Sequence, residues 1–335
     1  MGNKFFSKFQ IGKETTRGTL VAADTVLLGQ VSAVKPDRKP VYPVEQFGVR
    51  AESLRSVIHQ YLVSDTFKSD HAYFQLLPLV FGCGLKGGVT PTENTPAQGD
   101  YPWNQSPSLT AANTPDSFSG EKGDDTQAFQ FAYGMIERIR LAWNVAQGMD
   151  ASPVSLEFDY FARELTPAAF TGSISLPTVE PMNGKLSRLY VDTAWAGVGG
   201  TEKTNILRSA DIEILTGVHP VFSGSANKYF NQYAEGVIAV TLQLTLEGNS
   251  AADAIFDAQQ AQTFNVVRLA LNGGQIGTGL NHKLNVDVGG TWESVTPMSS
   301  EDRSDNLHAA VFRGYYDATG AKLLQVNSVT NVASY

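Results

Sequence analysis

The stretch Val237-Ile238-Ala239-Val240-Thr241-Leu242-Gln243-Leu244-Thr245-Leu246 alternates with a period of two. Ile238, Val240, Leu242, Leu244 and Leu246 fall on one side, and Ala239, Thr241, Gln243 and Thr245 on the other. A strand that buries one face and wets the other carries this pattern; a helix would repeat every 3.6 residues. The same alternation recurs in Glu137 to Val145, where Ile139, Leu141, Trp143 and Val145 interleave with Arg138, Arg140 and Asn144. Beyond a turn at Gln147-Gly148-Met149-Asp150 it returns in Val154 to Tyr160, so the two runs predict an antiparallel hairpin. Phe129, Phe131 and Tyr133 predict a strand before it. Further strands are expected at 54–67, 186–191, 205–218, 265–271, 284–288, 307–316 and 323–329.

Helical spacing occurs twice. Tyr73, Leu76, Leu77, Val80 and Phe81 predict a helix over 70–81 with Asp70 as cap, weakened by Pro78. Ala252, Ile255, Phe256 and Gln259 predict a second over 249–261, capped by Asn249 or Ser250. The expected fold is therefore mainly β: packed antiparallel sheets, a sandwich or partial barrel, with one flanking helix per sheet system. A strand, a helix and then further strands follow one another in each half of the chain. Element order alone leaves open an internal duplication or one large sheet system. The expected division is an N-terminal arm over 1–19, a first half over 20–180 and a second over 181–335. The first half contains a long segment, 84–125, with Pro91, Pro96, Pro102, Pro107 and Pro115, whose Tyr101 to Leu109 patch predicts a short strand. Loops of that length are usually functional or disordered.

The chain has 335 residues, 42% of them hydrophobic and 17% charged, with a net charge of −8. An acidic balance argues against tight nucleic-acid binding, which neutralises phosphates with Lys and Arg. It does not argue against a wall past which DNA slides. Cys83 is the single cysteine, so no internal disulfide and no cysteine-based zinc site is expected. No stretch predicts a signal peptide, a membrane span or, with Phe6 at the decisive position, a myristoylation site. The expected setting is a cytoplasm.

Motifs of catalysis do not accumulate. Gly82-Cys83-Gly84-Leu85-Lys86-Gly87 fits G-x-G-x-x-G in letters, but a helix precedes it and a loop follows, the reverse of a dinucleotide site. Gly273 to Gly279 reads as a hairpin connection. Gly12-Lys13 and Gly184-Lys185 lack the Ser or Thr of a phosphate loop. His59, His71, His219, His282 and His308 are scattered. Glu121 with Asp124-Asp125 reads as an acidic turn before a strand rather than a cation site. No catalytic, cofactor-binding or metal-binding residue is assigned, and no enzyme is expected.

Several stretches together resemble the major tail tube proteins of long-tailed, siphovirus-type bacteriophages. They are Gln10-Ile11-Gly12-Lys13-Glu14-Thr15-Thr16-Arg17-Gly18-Thr19 through Ala22-Ala23; Leu76-Leu77-Pro78-Leu79-Val80-Phe81-Gly82; Asn113 to Phe118 with Gly123 to Phe129; and Ile212 to Gly217 with Tyr229, Tyr233 and Glu235-Gly236-Val237. Their order and spacing from Gly12 to about Leu271 carry the resemblance, and Phe118 to Lys122 departs from it where a cleaner strand is expected. It implies packed sheets whose inner members join between subunits into a closed β-barrel channel in the virion. The tube is built from copies of itself in the host cytoplasm: a pseudo-hexameric trimer if the chain is duplicated, a hexamer if not. The segment 84–125 and the arm 1–19 are then expected to join ring to ring. The implied partners are tape measure, terminator and distal tail proteins, with DNA passing through the lumen and no membrane. Glu137 to Val145, Val154 to Phe161 and their second-half counterparts are the expected lumen strands. The alternative is a phage baseplate or receptor-binding component.

Overall fold

A computed structural model describes residues 4–35, 37–145, 151–302 and 305–335. The chain is mainly β, with nineteen strands and two short α-helices among the described residues. In the first half these are β1 (Lys8–Lys13), β2 (Thr25–Val26), β3 (Arg38–Val41), β4 (Val57–Tyr61), β5 (Val63–Ser69), α1 (Leu77–Gly84), β6 (Tyr101–Asn104), β7 (Phe118–Gly123), β8 (Ala128–Asn144), β9 (Val154–Ala162) and β10 (Thr166–Ala168). The second half holds β11 (Ser187–Asp192), β12 (Leu207–Leu215), β13 (Val218–Val221), β14 (Gln232–Glu235), β15 (Ala239–Glu247), α2 (Ser250–Gln260), β16 (Asn265–Gln275), β17 (Asn281–Asp302), β18 (Asp305–Gly314) and β19 (Leu324–Thr330).

The two halves share one connectivity. In the first, β5, β9 and the C-terminal part of β8 lie side by side, while the N-terminal part of β8 crosses into a second layer between β7 and β10, with β1 beyond β7. In the second, β15, β18 and the C-terminal part of β17 lie side by side, and the N-terminal part of β17 crosses between β16 and β19, with β11 beyond β16. Hairpin β3–β4 precedes β5 as hairpin β13–β14 precedes β15. Helices α1 and α2 follow β5 and β15. Even a bulge repeats: on β8 it falls between Ile136 and Arg138, opposite Tyr160 and Asp159, and on β17 between Trp292 and Ser294, opposite Phe312 and Val311. A bulge is a designed irregularity whose position is tied to the bend it makes. Here it marks where each long strand leaves one layer for the other.

The halves are fused edge to edge. β8 pairs with β12 from Asn144↔Ser209 to Arg138↔Leu215, so one antiparallel sheet runs β5, β9, β8, β12, β15, β18, β17. Beyond β5, Gln30 bonds to Lys68 (2.7 Å) and Ser32 Oγ donates to the Thr66 carbonyl, so this segment stands where β12 stands in the second half. The core lies between this sheet and the second layer. Ile139, Leu141, Ile212, Ile214, Leu242, Leu244 and Phe312 line it from the sheet, and Phe74, Val80, Phe81 and Ile255 enter it from the helical segments.

Several expectations shift. The strand expected over 54–67 breaks at Leu62, whose N–H bonds to Asp37, so β4 joins a hairpin and β5 the main sheet. Pro78 does not interrupt the first helix because α1 begins at Leu77, placing the proline in the opening turn where no N–H is required. Asp70 does not cap it; it accepts from Gln30 and pairs with Lys68. Asn249 does cap α2, accepting from Ala251 and Ala252. The two strands expected at 129–133 and 137–145 are one, β8, and Phe118 to Gly123 is a strand, β7. The expected turn at 147–150 lies outside the described residues.

The N-terminal segment expected as an arm is built into the fold. β1 is laddered to β7 and β2 and buries Phe9 and Ile11. Glu14 is buried and accepts from Gly18 N–H, Ser117 Oγ, Ser119 Oγ and Tyr133 N–H. The proline-rich segment also packs inward: β6 pairs with β19, Asp100 accepts from Leu280, and Glu235 accepts from Asn113 and Thr114. It straps the first half onto the second.

Candidate functional site

Alternation along the seven-strand sheet sends every second side chain away from the core, and these form one polar face. β5 contributes Thr66 and Lys68; β9 contributes Ser155, Glu157 and Asp159; β8 contributes Arg138, Arg140 and Ala142. β12 adds Asp211 and Glu213, β15 adds Thr241, Gln243 and Thr245, and β18 adds Ala309, Val311 and Arg313. The registers Glu157↔Arg140↔Glu213↔Thr241↔Arg313 place them in rows across the strands. A hollow of about 540 Å³ over Ala142, Ser155, Asp211, Gln243 and Val311 shows that the face is concave there.

Its charges are paired. Arg138 Nε donates to Asp159 (2.6 Å), its Nη2 to Glu157, and its Nη1 to Glu213 (3.3 Å). Arg140 grips Asp211 through Nε at 2.9 and 3.0 Å and through Nη2 at 2.5 Å. Hydrogen bonding to Asp159, ahead of the cost of burial and the contribution of Glu157, raises the Arg138 guanidinium above its ordinary value. Asp211 does the same for Arg140. Lys68 pairs with Asp70 (3.0 Å) and Arg313 faces Glu293 (3.8 Å). Half-exposed pairs of this kind add about 1 kcal/mol or less each. Their consequence is electrostatic: four carboxylates surround the two guanidiniums at the centre, and the flanking second-half strands carry Thr, Gln and Ala.

The strands expected to carry an inner face, Glu137 to Val145 and Val154 to Phe161, are neighbours on this face, and the counterparts are β17 and β18. Asp211 and Glu213 escaped the sequence reading as face residues, although their alternation with Ile212 and Ile214 carried the signal. The other singled-out residues do not converge. Glu121 is buried and accepts from Thr171 and Gln10, whereas Asp124 accepts from Thr126 and Gln127 in a turn. His282 is buried and stacks on Phe74, and His308 is buried elsewhere. Cys83 is fully buried in α1, and burial pushes its thiol up. Gly82 to Gly87 closes α1 into the strap, with Gly87 against the Thr114 carbonyl, where a Cβ would stand 2.4 Å from it. Gly273 to Gly279 connects β16 to β17. Among the described residues no group of three or more His, Cys, Asp or Glu is placed to hold a metal ion, and no helix is long and apolar enough to cross a membrane.

No family model matches the chain, and no curated protein matches it.

One buried ion pair was not foreseen. Lys122 on β7 donates to Asp65 on β5 and to Ser32 Oγ (2.7 Å), both charged side chains being nearly inaccessible. Burial alone would raise the Asp65 carboxyl, but the hydrogen bond and charge of Lys122 outweigh it and leave it below the usual carboxylate range. Burial holds the ammonium somewhat below its own ordinary value. The pair joins the main sheet to the second layer beneath the polar face.

Proposed function

We propose that this chain is a structural subunit that assembles with copies of itself into stacked rings, the tail tube of a long-tailed phage, with the polar face turned to the lumen. The observation that supports it most is the tandem seam. β8 of one repeat already pairs with β12 of the next, and the same sheet ends at β17, whose Thr291 to Thr296 stretch has no strand partner beyond β18 among the described residues. A seam between successive repeats of one connectivity is heterologous, so it propagates until rotation closes it. Closure removes the open edges that otherwise invite uncontrolled pairing. Adding copies would continue β17 onto the Gln30 to Val34 segment of the next chain.

The polar face suits DNA passage. Binding to a duplex gains strength by releasing counterions from phosphates to Lys and Arg. Each cation of this face stands beside a carboxylate, so the face offers little net positive charge to phosphates. A wall of paired charges and neutral amides lets the polyanion slide.

Two repeats per chain make three chains the ring count that matches a pseudo-sixfold tube. Negative-stain images of the purified chain at high concentration test the reading: rings or tubes are expected. A monomer under all conditions refutes it. Mass per ring tests the role of the repeat, since six whole chains would be inconsistent with it.

A further inference from the structure

The seam between the halves is filled by a hairpin, and the equivalent place one repeat later, at the start of β15 and the end of β18, borders an open cavity. In the first half, Leu62, Tyr133, Met135 and Phe161 form a small apolar cluster with Val218, Phe222, Phe230 and Tyr233 of the second. Phe230, in the loop of hairpin β13–β14 just before β14, is fully buried there, its ring 5.0 Å from Tyr133 and 5.3 Å from Phe161. Arg163 completes the socket, donating Nε to the Phe230 carbonyl (3.2 Å) and covering Tyr229 at 4.7 Å. The seam thus has two zones, a ladder and an aromatic plug.

The shared registers say which residues stand at the equivalent place one repeat later. Asp65↔Tyr160↔Ile136 corresponds to Leu242↔Phe312↔Trp292, each set followed by the same bulge. Leu62 therefore maps to Ala239, Phe161 to Arg313 and Arg163 to Tyr315. These residues, with Val237 and Tyr316, line a cavity of about 1410 Å³ that also borders the filled socket at Tyr133, Val218 and Tyr233 and the strap at Leu109 and Ala111. Val237 is 86% exposed, Tyr315 45% and Tyr316 46%. The element equivalent to β13–β14 in a following repeat is hairpin β3–β4. Five of the sixteen exposed large apolar side chains among the described residues lie on it or its loop: Val41, Tyr42, Val44, Val49 and Leu54. With the three at the cavity, half of such side chains sit at two places that the repeat brings together. Isolated exposed apolar residues are ordinary; concentrated ones mark contacts. Within one chain β3–β4 already flanks β13–β14, Tyr61 N–H bonding to the Lys228 carbonyl at 3.0 Å, so hairpins would alternate around a ring.

The geometry points to hairpin β3–β4 of a second copy of this chain as the occupant of the cavity beside Val237, Tyr315 and Tyr316. This rests on the tube reading and adds the second zone of the subunit seam. The test uses full-length chains carrying single cysteines, Cys83 being buried and out of competition. Chains with Leu54→Cys or Val44→Cys are mixed with chains carrying Tyr315→Cys, assembled, and treated with a short bismaleimide. A control mixture pairs Val34→Cys with Thr296→Cys across the strand edges. The expected result is cross-linked dimer in the hairpin mixtures and none from either variant alone. Cross-linking of the edge pair without either hairpin pair would overturn this inference and leave the tube reading standing. Failure of both, with no rings from the unsubstituted chain, would overturn both. As a second measurement, Val44→Asp with Leu54→Asp should leave the circular dichroism spectrum and unfolding midpoint unchanged while abolishing rings; rings that persist would also overturn the inference.

Discussion

Removing the plug that joins the two halves should weaken the fold by a defined amount. Phe230→Ala deletes a fully buried ring that meets Tyr133, Phe161 and Phe222. Phe-to-Ala truncation in a core costs about 3–5 kcal/mol, depending on how far the site collapses. Phe230 sits in a satellite cluster under a surface hairpin, which can relax, so the lower end, about 3 kcal/mol, is expected. The Arg163 bond to the backbone carbonyl survives the substitution and limits the loss. Urea unfolding at protein concentrations below assembly, followed by tryptophan fluorescence, would read it as a lowered midpoint with an unchanged slope. Combining Phe230→Ala with Phe161→Ala should give a coupling of about 1 kcal/mol, as expected for an aromatic pair. A loss below about 1 kcal/mol, or no coupling to Phe161, would refute the claim that this plug ties the repeats together and with it the basis for extending the plug to a neighbouring copy.

Three further outcomes follow from the charges. Lys122→Met leaves the Asp65 carboxylate buried with Ser32, Lys35, the Thr66 N–H and, at 3.5 Å, the Tyr160 hydroxyl; breaking a buried pair costs about 3–5 kcal/mol, and these remaining partners favour the lower end. Adding Asp65→Asn should recover most of it, and a double variant no more stable than Lys122→Met would refute this account. The Asp65 carboxyl is lower in the folded than in the unfolded chain, so its contribution is complete above the unfolded value and is lost as pH falls through the folded one. Asp65→Asn should therefore flatten the acid limb of stability below about pH 4, measured by urea midpoints across pH. On the polar face, Thr245→Lys adds a cation to the neutral row Asn144↔Ser209↔Thr245↔Ala309. Assembled tubes should then retain duplex DNA at low salt and release it as salt rises, a behaviour the unsubstituted tubes should lack. Equal retention by both would show that the face is not the DNA path.

How much of this was legible depended on where the local signal and the tertiary context agreed. Val240 to Leu246 and Ile139 to Trp143 read correctly because one face is buried along their whole length, which keeps the period-two signal clean. The break at Leu62 was invisible because an apolar residue continues the pattern while its N–H turns to Asp37. β8 read as two strands because its core face changes sides where it crosses layers at the bulge. β1 was missed because Lys8, Gln10 and Lys13 look like a solvated arm, although Gln10 is buried against Glu121 and Thr171. The strap read as a long ring-to-ring loop with one short strand in the Tyr101 to Leu109 patch; that strand is β6, but the inward packing of the rest was hidden because prolines and glycines signal irregular backbone whether it is exposed or packed. The polar face was half visible. Alternation gave its strands, but the pairing of Arg140 with Asp211 spans residues far apart in sequence and needs the fused sheet.

The two open flanks are not equal, and the difference bears on how assembly is controlled. The seam inside the chain spans Arg138 to Asn144 without interruption. At the far edge, β17 bulges between Thr296 and Ser300, Pro297 lacks an N–H, and Met298 adopts a positive φ of 51°. Proline and bulges on an edge strand shorten the length open to a partner. Only Thr291 to Thr296 can then ladder to another copy, fewer residues than the inner seam uses. At the opposite flank the Gln30 to Ser32 segment holds β5 through one backbone bridge and a serine hydroxyl rather than a full ladder. Under the proposed assembly, an intersubunit ladder built from these two flanks would be shorter than the intrachain one, so each chain would fold before it joined others. There the exposed apolar hairpin β3–β4 would supply contact area where backbone pairing runs out. Under the same proposal, a chain that folds first would join only where a growing tube end presented both zones at once.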